Sequence, residues 1–88
     1  MTNEMIHIGN SAFIPLDKIR VVVPADAGKV RRILKRKGID QNSDRFWDTT
    51  SGLETRALIV LDNGMIVTSF VTSNAIVKRI NQNNDLEV

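Results

Sequence analysis

The strongest hydrophobic pattern in the chain is a pair of runs, Thr55–Leu61 (TRALIVL) and Met65–Phe70 (MIVTSF), separated by Asp62-Asn63-Gly64. Asp, Asn and Gly tolerate positive φ, so this spacing predicts a β-hairpin at the structural centre. Ala57 to Leu61 are apolar at consecutive positions, which means that both faces of the first hairpin strand need covering. Upstream, Met5–Ile8 alternates weakly and ends at the turn signal Gly9-Asn10, and Phe13–Val23 is an extended apolar stretch interrupted by Pro15 and Asp17. These two segments predict paired N-terminal strands. The β-branched run Ile19–Val23 stops at Pro24, and Asp26 is placed to cap a helix that Gly38 closes.

Within that helix Val30, Ile33 and Leu34 share one face. Residues 39–48 (IDQNSDRFWD) show no sustained period and read as a loop anchored by Phe46-Trp47, with Trp47 packed against the edge of the core. A second helix is expected over Asn74–Ile80 with Ser73 as its cap and Ala75, Ile76 and Ile80 as its apolar stripe. The pattern as a whole predicts an α+β domain over residues 1–81, a small antiparallel sheet with two helices, followed by a polar tail over 82–88. The basic helix covers one face of the central strand; the other needs the C-terminal helix or a neighbouring subunit. Two short helices make a tight cover, so the pattern favours self-association.

Eighty-eight residues with 42% hydrophobic content leave room for a single core. The chain has no cysteine, which excludes disulfides and thiolate metal sites, and its lone histidine, His7, reads as a strand side chain. Asp40, Asp44 and Asp48 recur every four residues but lack the glycine and terminal acid of a calcium loop. Asp26-Ala27-Gly28-Lys29 lacks the glycine spacing of a phosphate loop. No serine or threonine has a base other than His7, so the expectation is a protein that is not an enzyme and takes no metal, cofactor or small-molecule substrate. No apolar run approaches the ~20 residues of a membrane span, and MTNEM lacks the basic and apolar regions of a signal peptide. No membrane contact and a cytoplasmic location are expected.

Charge changes this picture. Lys29–Lys37 (KVRRILKRK) holds six basic residues and no acidic one, while the rest of the chain holds six basic against ten acidic. Like charges at these spacings cost a few tenths of a kcal/mol per pair, and such a concentration points to a polyanion. The competing reading is a merely solvated face, because Lys and Arg favour helices and complement the C-terminal end of the dipole. Lys18 and Arg20, around the second N-terminal strand, are further candidates for phosphate contact. Arg56 is open between two roles, pairing with a carboxylate such as Glu54 or contacting DNA.

The segments MIHIG (5–9), IRVVVP (19–24), VRRI (30–33), TSGLETRALIVLD (50–62) and IVTS (66–69), in this order and spacing, resemble the RemA family of bacterial regulators of extracellular-matrix genes. The resemblance covers roughly residues 5–80, and T-x-G-x-x-T-R-A is its most specific part. It implies a small cytoplasmic DNA-binding protein, a fold related to the LytTR domain, activation of biofilm-matrix transcription, and a ring-shaped homo-oligomer. It also implies that Lys18 stands where the family has an arginine, and that Arg31, Arg32 and Arg56 match basic positions. Where the family has two consecutive arginines associated with DNA contact, this chain has Leu53 and Glu54.

Together these readings give a DNA-binding regulator that meets duplex DNA through Lys18, Arg20, Arg31, Arg32, Lys35 and Arg56, repeated around a ring. The alternative is an oligomeric interaction or scaffold module that never meets DNA, which Leu53 and Glu54 favour.

Overall fold

The computed structural model describes residues 4–86, with side chains to residue 82. The chain begins with a hairpin of β1 (Met5–Gly9) and β2 (Ala12–Pro15), then a 3-10 turn at Leu16–Lys18, β3 (Ile19–Pro24) and α1 (Ala27–Lys37). It continues through β4 (Phe46–Asp48), β5 (Ala57–Leu61), β6 (Ile66–Ser69) and α2 (Ser73–Leu86). The strands form two sheets, the β1-β2 hairpin and a four-stranded sheet in the order β3-β5-β6-β4.

The central hairpin is where the pattern predicts it: β5 and β6 pair antiparallel with Val60 opposite Ile66 and Ala57 opposite Ser69. Gly64, at φ +87, supplies the positive φ of its turn. Because side chains alternate across a strand, Leu58 and Ile66 face one way, into a core with Val30, Leu34 and Ile39 from α1 and the loop after it. Ala57, Ile59 and Val67 face the other way, into a core with Ile6, Ile8, Ala12, Ile14 and Ile76. The second face of β5 is therefore covered by the N-terminal hairpin together with α2. This removes the burial argument for a neighbouring subunit: the two β1-β2 strands stack on the sheet as a separate layer, giving the cover that two helices alone lack.

Three further expectations are corrected. The sheet is mixed, because residues 46–48 form a strand parallel to β6, with Phe46 opposite Ile66 and Asp48 opposite Thr68. Only three residues long, this strand is below the length at which periodicity is legible. Phe46 is its anchor, packing with the α1 core, whereas Trp47 points away and is 40% exposed. The α2 cap is Thr72, one residue before Ser73: its Oγ accepts a hydrogen bond from the Ala75 amide at 3.2 Å, and the helix runs well beyond Ile80.

The β1-β2 layer is fixed against the sheet by close contacts. Gly9 sits at φ +103, and a Cβ there would stand 2.8 Å from Phe70 Cε2 and 3.0 Å from its Cζ. Gly9→Ala is expected to cost ~1–3 kcal/mol through overpacking and backbone strain. That corresponds to a Tm loss of ~4–8 °C per kcal/mol in a thermal melt. An unchanged Tm would show that the hairpin does not dock this closely.

Candidate functional site

The helix α1 places its cations by simple geometry. Asp26 caps its start, its carboxylate accepting the Lys29 amide at 2.7 Å, and Gly38, left-handed at φ +69, closes it. The hydrogen bond from the Lys29 amide, helped by the Arg32 charge, holds the Asp26 carboxyl below its ordinary value against the opposing effect of desolvation. With Val30 and Leu34 buried, 100° per residue sets Lys29, Arg31, Arg32, Lys35 and Arg36 on an arc of ~160° facing away from the sheet. All five are exposed, and among the described residues no carboxylate oxygen lies within 4.0 Å of any of their side-chain nitrogens. The cationic face is thus unneutralised by the fold.

The other predicted residues divide between the two ends of the sheet. β3 runs antiparallel to β5 with Ile19 opposite Leu61 and Pro24 opposite Ala57. Lys18 therefore lies at one end, its Nζ 3.9 Å from Asp62 Oδ2 in the β5-β6 turn. Arg56 lies at the other end, its carbonyl accepting the Ala25 amide at 3.1 Å, beside the start of α1. At the strand rise, six residues of β3 separate these ends by ~17–20 Å. Arg20 is exposed on β3 where the register shifts between Ile19 and Val21, so a bulge carries it out of the regular ladder. The structure brings Arg31, Arg32, Lys35 and Arg56 to α1 and its flank, and leaves Lys18 and Arg20 apart from them.

Arg56 is paired within the chain: its Nη2 donates to Glu54 Oε1 at 3.3 Å, with both groups exposed. Glu54 and Leu53 project from a tight turn in which the Leu53 amide donates to the Thr50 carbonyl at 3.0 Å. Ser51 at φ 53 and Gly52 at φ +83 occupy its two central positions, a pairing of positive φ values that defines a type I′ turn. Leu53 is 55% exposed.

That turn is held by a network that pattern reading misses. The Asp48 Oδ1 accepts the Thr50 hydroxyl at 2.7 Å, the Thr50 amide at 3.0 Å and the Thr68 hydroxyl at 2.8 Å. The Thr49 hydroxyl donates to the Thr68 carbonyl at 2.7 Å, and Asn10 Nδ2 donates to the Thr49 carbonyl at 2.8 Å. Only the Asp48-Thr50 spacing, that of an Asx turn, is visible in sequence. Asp48, Thr68 and Arg31 also line a cleft of about 170 Å³ between α1 and β4, floored by Val30, Leu34 and Phe46. Desolvation pushes the Asp48 carboxyl up, but the hydrogen bonds from Thr50 and Thr68 together outweigh it, so its pKa lies below the ordinary 3.8. A carboxyl depressed on folding stabilises the fold above its unfolded pKa, and that contribution is lost as pH falls through the folded value. Stability should decline below about pH 4, and Asp48→Asn should flatten that acid limb in a series of melts. An identical limb in the variant would show that other carboxyls set it.

The family described as "Extracellular matrix regulatory protein A-like" (RemA-like) matches residues 5–80, which contain every strand, α1 and the whole turn. The chain belongs to the RemA-like family. Similar proteins carry the name "Putative regulatory protein". One from Coprothermobacter proteolyticus is 32% identical over 82 residues, spanning 93% of this chain and 75% of that protein. One from Lachnoclostridium phytofermentans is 29% identical over 85 residues, spanning 97% and 90%. One from Bacillus cytotoxicus is 27% identical over 86 residues, spanning 98% and 95%. A regulatory role for this RemA-like chain follows from its family. Among the described residues no helix is long and apolar enough to cross a membrane.

Proposed function

We propose that this RemA-like protein regulates transcription of extracellular-matrix genes by binding duplex DNA through the outer face of α1, repeated in a homo-oligomeric ring. The observation that carries the reading is the α1 arc: five cations exposed together, with no carboxylate within ion-pair distance among the described residues. Cations that a fold leaves unpaired on one rigid element are free to replace the counterions of a phosphate backbone. Arg31, Arg32 and Lys35 are the principal contacts. Lys18 is an ancillary contact tethered by Asp62, and Arg20, on the β3 bulge, is a further one apart from the α1 face.

One subunit offers three or four phosphate contacts, which is weak alone. A ring presents many copies to one curved duplex, and avidity of this kind raises affinity by ~10² or more. Sequence preference then rests on DNA bendability more than on base edges. The test is a gel-shift series over duplex length and salt. Tight, steeply salt-dependent retention of long duplexes with little retention of short ones is expected; equal affinity for both lengths counts against avidity, and flat salt dependence counts against phosphate contact.

A second reading has its own observation. Glu54 occupies Arg56, and the exposed Leu53 beside it offers apolar surface where the family resemblance places arginines. An interaction module that docks an acidic protein on α1 fits the same charges.

A further inference from the structure

The cleft between α1 and β4 has two chemically different ends. Asp48 stands opposite Thr68, and the Arg56 carbonyl accepts the Ala25 amide, so α1 starts at the end of the sheet where β4 and β6 finish. Asp48, Thr55, Thr68 and Arg31 therefore line one end of the cleft, and Leu34 and Phe46 line the other, with Val30 between them. Two turns of α1, ~10 Å along its axis, separate the polar end from the apolar one.

The polar end holds two opposite charges that the fold does not spend on each other. Among the described residues no carboxylate oxygen lies within 4.0 Å of the Arg31 guanidinium. That group folds back toward the start of the helix, its Nη2 lying 3.9 Å from where a Cβ on Gly28 would stand. Across the cleft, every hydrogen bond that the Asp48 side chain accepts among the described residues falls on Oδ1, which leaves Oδ2 without a donor. The same hydrogen bonds hold the Asp48 carboxyl in its ionised form at neutral pH.

Size narrows the occupant. Nucleotides and larger cofactors need clefts of ~300–1,000 Å³, whereas an apolar cavity of ~150 Å³ accepts a molecule of benzene's bulk. At about 170 Å³ this cleft suits a small body with its polar head at the open end. The head must present an anionic group to Arg31 and a cationic donor to Asp48, side by side. A lone anion leaves Asp48 unmet, and a lone cation meets the field of Arg31. A zwitterionic α-amino acid carries both groups on one carbon, and an aliphatic side chain fills the remaining length.

We infer that this cleft binds a small aliphatic α-amino acid, its carboxylate on Arg31, its ammonium on Asp48 Oδ2 and its side chain against Val30, Leu34 and Phe46. Both head-group contacts are charge-assisted hydrogen bonds, which fix orientation, and the apolar floor selects the side chain. The site stands without any reference to nucleic acid. Its regulatory consequence rests on the proposed function, in which Arg31 is a principal phosphate contact. A bound amino acid then withdraws one cation from every subunit, so the free amino acid weakens the grip on a duplex. By linkage, bound duplex weakens the affinity for the amino acid by the same factor.

Isothermal titration of the purified protein with L-leucine tests the site, and saturable binding of one molecule per chain is expected. Leucine amide lacks the carboxylate, isocaproate lacks the ammonium and glycine lacks the side chain, so each should bind at least ~10-fold more weakly. Asp48→Asn keeps the Oδ1 acceptor and changes only Oδ2, while Arg31→Gln alters an exposed position. Both should fold, which circular dichroism checks, and each should lose at least ~10-fold in affinity for L-leucine. Absence of saturable binding, equal binding of leucine and its amide, or an affinity unchanged in Arg31→Gln would each overturn the site. In a gel shift, saturating L-leucine should weaken retention of a long duplex; retention that does not change would overturn the coupling. A protein that binds L-leucine with these preferences but retains no duplex at all leaves the site standing and removes the nucleic-acid reading alone.

Discussion

Substituting glutamine for Arg31, Arg32 and Lys35 together is expected to abolish retention of a long duplex while the oligomer sediments unchanged. Glutamine keeps helix propensity close to that of Arg and Lys, so α1 should persist. The three side chains point away from the Val30 and Leu34 stripe, so the core is untouched. Removing three like charges even relieves repulsion along the helix. What is lost is electrostatic: each phosphate contact contributes ~0.9 to the slope of log affinity against log salt, so the slope should fall by ~2.7 for every engaged subunit. Multiplied around a ring, that weakens binding by well over ~10² at ordinary ionic strength. Unchanged retention, with the oligomer intact, would sink the assignment of α1 as the binding face.

The double change Leu53→Arg with Glu54→Arg should act in the opposite direction. It adds three positive charges per subunit, one from position 53 and two from position 54, and it releases Arg56 from its 3.3 Å pairing with Glu54. The turn should tolerate both substitutions. Its conformation is set by Ser51 and Gly52 and by the Asp48-Thr50 hydrogen bonds, and Leu53 is 55% exposed. With Arg56 freed, as many as three cations come to lie at the same end of the sheet as the start of α1. A tightening of at least ~10² with a steeper salt slope is expected. That outcome would establish that the natural chain has moved away from the strongest DNA contact its scaffold permits, with Glu54 as an internal competitor. A duplex affinity that does not change would mean that this turn lies off the DNA track altogether.

Much of the fold is legible in the sequence because the relevant forces are local. The β5-β6 hairpin follows from two apolar runs and an Asp-Asn-Gly turn, and α1 follows from its cap, its stripe and its closing glycine. Other elements are illegible for equally physical reasons. β4 is three residues long, and its parallel partner β6 lies some twenty positions ahead. Trp47 sits outside the core because alternation on that short strand gives the inward position to Phe46. The cover over Ala57, Ile59 and Val67 depends on how β1-β2 folds back onto the sheet, held by the Ser69 hydroxyl donating to the Ile8 carbonyl at 2.6 Å. No periodicity announces a contact across sixty-one positions.

By itself, the sequence determined the concentration of cations on one helix, the caps at its ends, the central hairpin and the placing of Leu53 and Glu54 just before Arg56. These are properties of residues within a few positions of one another, where spacing dictates geometry. Tertiary structure alone decided which cations stand together. It set Lys18 beside Asp62, carried Arg20 out on a bulge, and brought Arg56 to the start of α1 yet paired it with Glu54. These outcomes depend on strand order and register, which arise from contacts between distant segments and from the burial each arrangement achieves.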